Sequence, residues 1–229
     1  MSAAAPVIAV DGPSGSGKGT VGRLLARRLG FHLLDSGALY RLTALAAIAR
    51  DTDLDDAEAV AELARNLKVR FEADEPAAAG RVLLDEREVT RELRTERTGD
   101  AASRVAALPA VRAALLGRQR AFRRPPGLVA DGRDMGTVVF PDAEVKIYLT
   151  ASPRERALRR HKQLMEQGVS VSLPALVEEI AQRDQRDANR SVAPLRVADD
   201  AELLDTTGLD VDAVTWQALE IVRRKLSTG

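Results

Sequence analysis

Residues Val7 to Thr20 read VIAVDGPSGSGKGT, and this stretch narrows the folds open to the chain more than any other. The apolar run Val7-Ile8-Ala9-Val10 predicts a short buried strand. Gly12, Gly15, Gly17 and Gly19, interleaved with Pro13, Ser14, Ser16 and Lys18, make a loop whose backbone can approach a phosphate with no Cβ in the way. After Thr20, residues Val21, Leu24, Leu25 and Leu29 share one helical face, and Gly30 stands where that helix would end. Strand, loop and helix start together aim backbone N–H groups and a positive dipole end at an anion. Lys18 adds a point charge where the β- and γ-phosphates would sit. Gly12 to Thr20 is therefore predicted to be a phosphate-binding loop.

Composition excludes several classes of partner. The 229 residues are 45% hydrophobic, enough to fill one sizeable core with insertions. The 34 basic and 34 acidic residues cancel, so no global field favours nucleic acid or an anionic membrane. Aromatics at 3% argue against binding single strands by base stacking. With no cysteine there is no disulfide, thiol catalysis or cysteine-ligated zinc. The start MSAAAP lacks a basic segment and a signal-length apolar core, and no run of 18 apolar residues occurs, so the expected location is the cytoplasm.

Further strands are expected at Phe31–Leu34, Leu128–Ala130, Val145–Leu149 and Glu202–Leu204. Helical stretches separate most of them, which implies an α/β fold with a parallel sheet covered by helices on both faces. Asp11, Asp35, Asp131 and Asp205 close several of these strands, and the carboxyl ends of such strands form the ligand crevice. Two segments break the alternation. Ala38 to Arg124 holds helices at Ala38–Arg50 and Asp56–Asn66, β runs at Val69–Glu72 and Val82–Asp85, and helical pattern from Thr95 to Arg124, with Pro109 as a first helical residue. Ser152 to Arg190 reads as two helices joined by Gly168–Pro174, the first opened by a capping box, Ser152-Pro153-Arg154-Glu155. The expected division is a core of 1–37, 125–151 and 191–229, an insert of 38–124 and a lid of 152–190. Pro76–Gly80 is the one low-complexity stretch.

Chemistry-bearing residues cluster in four places besides the loop. Arg183, Arg186 and Arg190, with Asp187, recur at helical spacing and are expected to project from one side. They read either as a solvated, salt-bridged face or as lid guanidiniums that neutralise a polyphosphate. The other basic helix carries Arg154, Arg156, Arg159, Arg160, His161 and Lys162, none of which the pattern singles out. In Asp35-Ser36-Gly37-Ala38-Leu39-Tyr40-Arg41, Ser36 reads as a helix N-cap, and Arg41 reads as a surface residue or a contact to an acceptor phosphate. In Ala130-Asp131-Gly132-Arg133-Asp134-Met135-Gly136, Asp131 stands where a strand-ending carboxylate would meet Mg²⁺ through water. The rest of that loop is a plain turn or a ligand contact. His32 falls in a strand and His161 in the basic helix, so neither is an evident base.

Taken together, GPSGSGKGT, LLDSGALYR, VADGRDMGTVVFPDA and QRDQRDANRSVAP resemble the bacterial cytidylate (CMP/dCMP) kinase family over nearly the whole chain. Gly19 follows the lysine where Ser or Thr is usual, and GKGT is similar to the loop of nucleoside monophosphate kinases rather than of GTPase switches or motor ATPases. The resemblance implies a P-loop kinase fold of three layers, with a central parallel five-stranded sheet, an enlarged monophosphate-binding insert (38–124) and a helical lid. It implies transfer of the γ-phosphoryl of ATP to CMP or dCMP with Mg²⁺. By motif, Gly12, Pro13, Ser14, Gly15, Ser16, Gly17, Lys18, Gly19 and Thr20 would hold the ATP phosphates. Arg41, Arg133, Arg183 and Arg190 would clamp the acceptor and transferring phosphates. Ser103, Arg112 and Asp134 would contact cytosine, and Asp187, with Ser36, the sugar. Read without the resemblance, Ser103 and Arg112 are helix surface. A monomer that uses neither nucleic acid nor membrane is the expectation. Another kinase of this fold acting on UMP, AMP or shikimate, or a nucleotide-dependent switch, remain the alternatives, although the N-K-x-D of a guanine-binding switch is absent.

Overall fold

The computed structural model describes residues 4–72, 81–166 and 168–227. The Pro76–Gly80 stretch lies outside the described residues. The chain divides into two compact units, one of Met1–Leu34 with Phe122–Gly229 and one of Asp35–Ala121.

The first unit is built on a five-stranded parallel sheet. Its strands are β1 (Val7–Asp11), β2 (His32–Asp35), β6 (Leu128–Gly132), β7 (Val145–Thr150) and β8 (Glu202–Asp205), in the order β2-β6-β1-β7-β8. Every residue of β1 is buried, which is why the strand reads as an unbroken apolar run and not as an alternation. Helix α1 (Lys18–Leu29) and helix α8 (Val211–Ser227) pack together and share a core with the sheet. That core joins Val21, Leu25 and Ala26 of α1, Ile8, Val129 and Ile147 of the strands, and Val214, Ala218 and Val222 of α8. Gly30 takes a left-handed conformation (φ 68°) and ends α1 as its position promised. In the β1–β6 register Val10 faces Asp131 and Asp11 faces Gly132. Two acidic strand ends are thereby neighbours at the carboxyl edge of the sheet.

Helices α6 (Pro153–Glu166) and α7 (Leu173–Ala188) follow β7 and have a small core of their own, Ala157, Leu164, Leu176 and Ile180. Only half of the expected capping box forms at α6. Ser152 Oγ accepts from the Glu155 N–H at 3.2 Å, but the Ser152 N–H donates to Thr207 and the Glu155 carboxylate takes Arg159 Nε at 3.0 Å. Pro174 belongs to the first turn of α7, not to the connection, because Ser172 caps that helix.

The second unit holds α2 (Ser36–Ala49), α3 (Ala57–Arg65), α4 (Glu96–Val105), α5 (Pro109–Arg120) and a small antiparallel sheet of β3 (Val69–Glu72), β4 (Arg81–Leu84) and β5 (Arg87–Glu88). Helix α2 packs on α4, and α3 on α5. The N-cap of α2 is Asp35, not Ser36: the Asp35 carboxylate accepts from the Ala38 N–H at 3.0 Å. A carboxylate outcompetes the hydroxyl one residue on because it serves the dipole end with a full charge.

Candidate functional site

The loop between β1 and α1 is laid against the strand ends by close backbone contact. Gly12 has φ +151°, and a Cβ there would lie 2.1 Å from the Leu149 carbonyl oxygen, so only glycine fits. Lys18 opens α1 and its Nζ donates to the Pro13 carbonyl at 3.2 Å, folding the ammonium back over the loop. Ser16 is fully buried, and its Oγ has no hydrogen-bond partner among the described residues. A Cβ on Gly19 would come 3.2 Å from Asp131 Oδ2. The glycine that departs from the usual Ser or Thr after the lysine therefore sits close against the carboxylate that ends β6.

Asp11 and the loop after β6 form one polar cluster. Both oxygens of Asp11 accept backbone N–H groups, from Met135 at 2.9 Å and Gly136 at 2.8 Å. These bonds fix the wide turn at Met135–Val139 that carries Asp134. Burial pushes the Asp11 carboxyl up to about 7, with Asp134 and Asp131 adding to the rise and the two N–H bonds opposing it. The sequence marks Asp11 only as a strand end; its burial near Asp131 and Asp134 depends on the strand order.

Arg133, Asp187 and Arg190 form the second cluster. Arg133 Nε donates to Asp187 Oδ2 at 2.9 Å, and Arg190 pairs with the other oxygen of the same carboxylate, itself 1% exposed. Burial would raise the Asp187 carboxyl, but Arg133, Arg190 and Arg183 together outweigh it and hold it below the ordinary value. Burial likewise would lower Arg133, and Asp187 overrides it and raises that group. The expected arginine face is corrected in two respects. Arg186 is exposed, whereas Asp187 beside it is buried. Arg190 lies beyond the end of α7, capped at Asn189, and reaches Asp187 from the following turn.

Of the remaining expected residues, Ser36, Arg41, Ser103 and Arg112 fall in the second unit. Ser36 is buried and its Oγ accepts from Gln119 Nε2 at 2.9 Å. Arg41 is not a bare surface side chain; it donates to the Leu93 and Thr95 carbonyls at 2.9 and 3.3 Å. Ser103 and Arg112 are buried rather than on the helix surface. The Arg112 guanidinium lies 5.6 Å from the centre of the Tyr40 ring and donates to the Ala106 carbonyl. Ser103 Oγ has no hydrogen-bond partner among the described residues. A buried hydroxyl with unspent bonding capacity is rare and suits a ligand contact.

Among the described residues, no three His, Asp or Glu side chains converge as a metal cage, and no helix is long and apolar enough to cross a membrane.

Known proteins resemble the chain over its length. Residues 8–224 match the family model described as cytidylate kinase. A cytidylate kinase of Pseudomonas paraeruginosa (strain DSM 24068 / PA7) is 61% identical over 214 residues, which cover 93% of each chain. One of Shewanella putrefaciens (strain CN-32 / ATCC BAA-453) is 53% identical over 229 residues, the whole of both. Among solved structures, an uncharacterized protein from Eubacterium ventriosum ATCC 27560 aligns with a TM-score of 0.50 at 13% identity, covering 94% of this chain and 96% of that one. That likeness is one of fold.

Proposed function

Because the chain belongs to the cytidylate kinase family, we propose that it transfers the γ-phosphoryl group of ATP to CMP or dCMP, giving ADP and CDP or dCDP. The observation that carries the residue assignment is the pairing, in one compact unit, of a lysine-headed phosphate loop with the buried Arg133–Asp187–Arg190 cluster.

The chemistry needs no general base. The second pKa of a phosphate monoester is about 6, so the acceptor phosphate is mostly dianionic at neutral pH. One of its oxygens attacks Pγ in line; that O–P bond forms as the bond from Pγ to the bridging β,γ-oxygen breaks, and the electron pair leaves on ADP. What the protein supplies is position and positive charge. Gly12 to Thr20 and Lys18 hold the ATP phosphates. Arg133, Arg183 and Arg190 neutralise the equatorial oxygens of the transferring group, with Asp187 keeping two of these guanidiniums in place. Arg41, Ser36, Ser103 and Arg112 hold the acceptor nucleotide, and Asp187 also serves its sugar. The α6–α7 pair, with a core of its own, acts as the lid. Asp131 fits Mg²⁺, which binds through one or two carboxylates plus substrate phosphates and keeps several waters; when bound, the ion would offset the charge of the β- and γ-phosphates. The enzyme works as a monomer in the cytoplasm.

ADP release in the presence of ATP, Mg²⁺ and each of CMP, dCMP, UMP, AMP and shikimate tests the reaction. Strong turnover with CMP and dCMP alone is expected; preference for another acceptor would discard the cytosine assignments. Base choice rests on Asp134, whose carboxylate accepts from the exocyclic amine of cytosine, whereas uracil presents an acceptor there and is repelled. Asp134→Asn is expected to lower the CMP-to-UMP ratio of kcat/KM by about 10-fold or more, since one good base contact is worth about 1–3 kcal/mol. An unchanged ratio would refute that role.

A further inference from the structure

Two of the six basic side chains on α6 differ from the rest. Arg156 is only 3% exposed, and all three guanidinium nitrogens are engaged. Nε donates to the Ala151 carbonyl at 3.1 Å and Nη1 to the Ser14 carbonyl at 3.0 Å, while Nη1 and Nη2 grip both oxygens of Asp184 on α7. One turn on, Arg159 donates to Thr206 Oγ1 at 2.9 Å and to the Thr206 carbonyl at 2.6 Å, with Nη1 3.5 Å from the Ser16 carbonyl. The Thr206 hydroxyl, itself buried, lies 3.2 Å from that same Ser16 oxygen and 3.0 Å from the Thr150 carbonyl, and its one proton serves the two. Two alternate carbonyls of the phosphate loop, Ser14 and Ser16, are thus held from behind.

The consequence follows from peptide planarity. In a trans peptide the C=O of one residue and the N–H of the next point to opposite sides. A Ser14 carbonyl drawn to Arg156 turns the Gly15 N–H away from it, and a Ser16 carbonyl drawn to Thr206 and Arg159 does the same for Gly17. Both glycines have left-handed backbones, φ +79° and +91°, the alternation that gathers successive N–H groups into an anion-binding concavity. Neither N–H donates to a protein acceptor among the described residues. A released carbonyl could flip and present its negative end to a phosphate.

We propose that Arg156, supported by Arg159 and Thr206, is a positioning residue for phosphoryl transfer: it holds the loop carbonyls outward so that the Gly15 and Gly17 N–H groups face the nucleotide phosphates. Asp184 makes that hold depend on the lid helix α7, so seating of the lid and readiness of the loop are one event. The proposal rests on the reading of Gly12 to Thr20 as the ATP phosphate site.

Calorimetric titration with ADP, which requires no acceptor, tests it on the wild type and on Arg156→Lys, Asp184→Asn and Thr206→Val, with CMP titration and Tm alongside. Arg156→Lys keeps the charge but loses the fork, and a hydrogen bond to a charged group is worth about 1.5–3 kcal/mol, so ADP affinity falls about 10- to 100-fold. Asp184→Asn and Thr206→Val lower ADP affinity in the same direction by several-fold, and CMP affinity stays within about twofold throughout. Three results overturn the proposal. Unchanged ADP affinity in Arg156→Lys leaves the residue a stability role. Tighter ADP binding in Asp184→Asn makes Arg156 a direct phosphate ligand freed from its partner. Equal loss of ADP and CMP affinity with a lowered Tm means general loosening. A wild type that binds ADP but shows no turnover with CMP or dCMP overturns the functional reading alone.

Discussion

Lys18→Met is expected to lower kcat by about 10³-fold while leaving KM for CMP within about twofold. The methionine keeps the apolar stem of the lysine and removes only the ammonium. That ammonium sits at the first turn of α1 and is held over the loop by the Pro13 carbonyl at 3.2 Å. In the proposed reaction it would meet the charge that develops between the β- and γ-phosphates as the Pγ–O bond breaks, a charge smaller in the bound substrate than in the transition state. Interactions that strengthen only in the transition state appear in kcat. The loop itself keeps its shape in the variant, because the Gly12 packing and the carbonyl contacts from Arg156 and Thr206 do not involve Lys18. Steady-state kinetics with ATP and CMP checks this. A fall in kcat of less than about 10-fold would move the burden of charge stabilisation to the arginines.

Asp187→Asn is expected to destabilise the fold by about 3–5 kcal/mol at neutral pH, the cost of removing one partner from a buried ionic cluster. In a chain of this length that lowers Tm by roughly 10 °C or more. Arg133 and Arg190 both bond this carboxylate, and Arg183 adds to its field. Without the negative charge, three guanidiniums repel one another where little water can screen them. The pH dependence has a definite sign. Asp187 is held below its unfolded value near 3.8, so its contribution is complete above that pH and is lost as pH falls through the folded value. The gap in unfolding free energy between wild type and Asp187→Asn therefore shrinks below about pH 4. Asp11 acts in the other direction: raised to about 7, it binds a proton in the folded state between 3.8 and 7, so its contribution falls as pH rises across that window. The two windows barely overlap, and denaturant titrations at pH 3, 5.5 and 8 separate them. A Tm for Asp187→Asn equal to that of the wild type would show that the guanidiniums relax into solvent and that the cluster is not a structural unit.

Much of the core was legible because its signals are local. The strand–loop–helix at Val7 to Leu29 rests on apolar runs, glycine spacing and one lysine, and each element lies within a residue or so of its expected bounds. The strands at Leu128, Val145 and Glu202 were equally plain, since short apolar runs bounded by acidic residues have few other readings. The arginines were harder to read. Helical spacing groups Arg190 with Arg183 and Arg186, but spacing does not report where a helix stops, and α7 stops at Ala188, before Arg190. Ser103 and Arg112 looked like helix surface because polar residues on amphipathic helices usually are; the packing of α2 on α4 and of α3 on α5 surrounds them. Arg156 and Arg159 were indistinguishable from Arg154 and Arg160 in a run of like charges. Their partners, Ser14, Ser16, Asp184 and Thr206, lie between 28 and 143 residues away.

By itself, the sequence determined that this chain makes a parallel α/β sheet, that a phosphate loop opens it, and, through four motifs in order, which kinase family it resembles. These follow from interactions among residues close in the chain, where period and glycine placement leave little freedom. Only the tertiary structure decided that β6 lies beside β1 and sets Asp131 against Gly19, that Asp11 is buried among carboxylates, and that one aspartate on α7 gathers Arg133 and Arg190. The physical reason is range. A side chain's charge state and direction are set by whichever groups strand order and helix packing bring within about 3–6 Å of it, and those neighbours are remote in the chain.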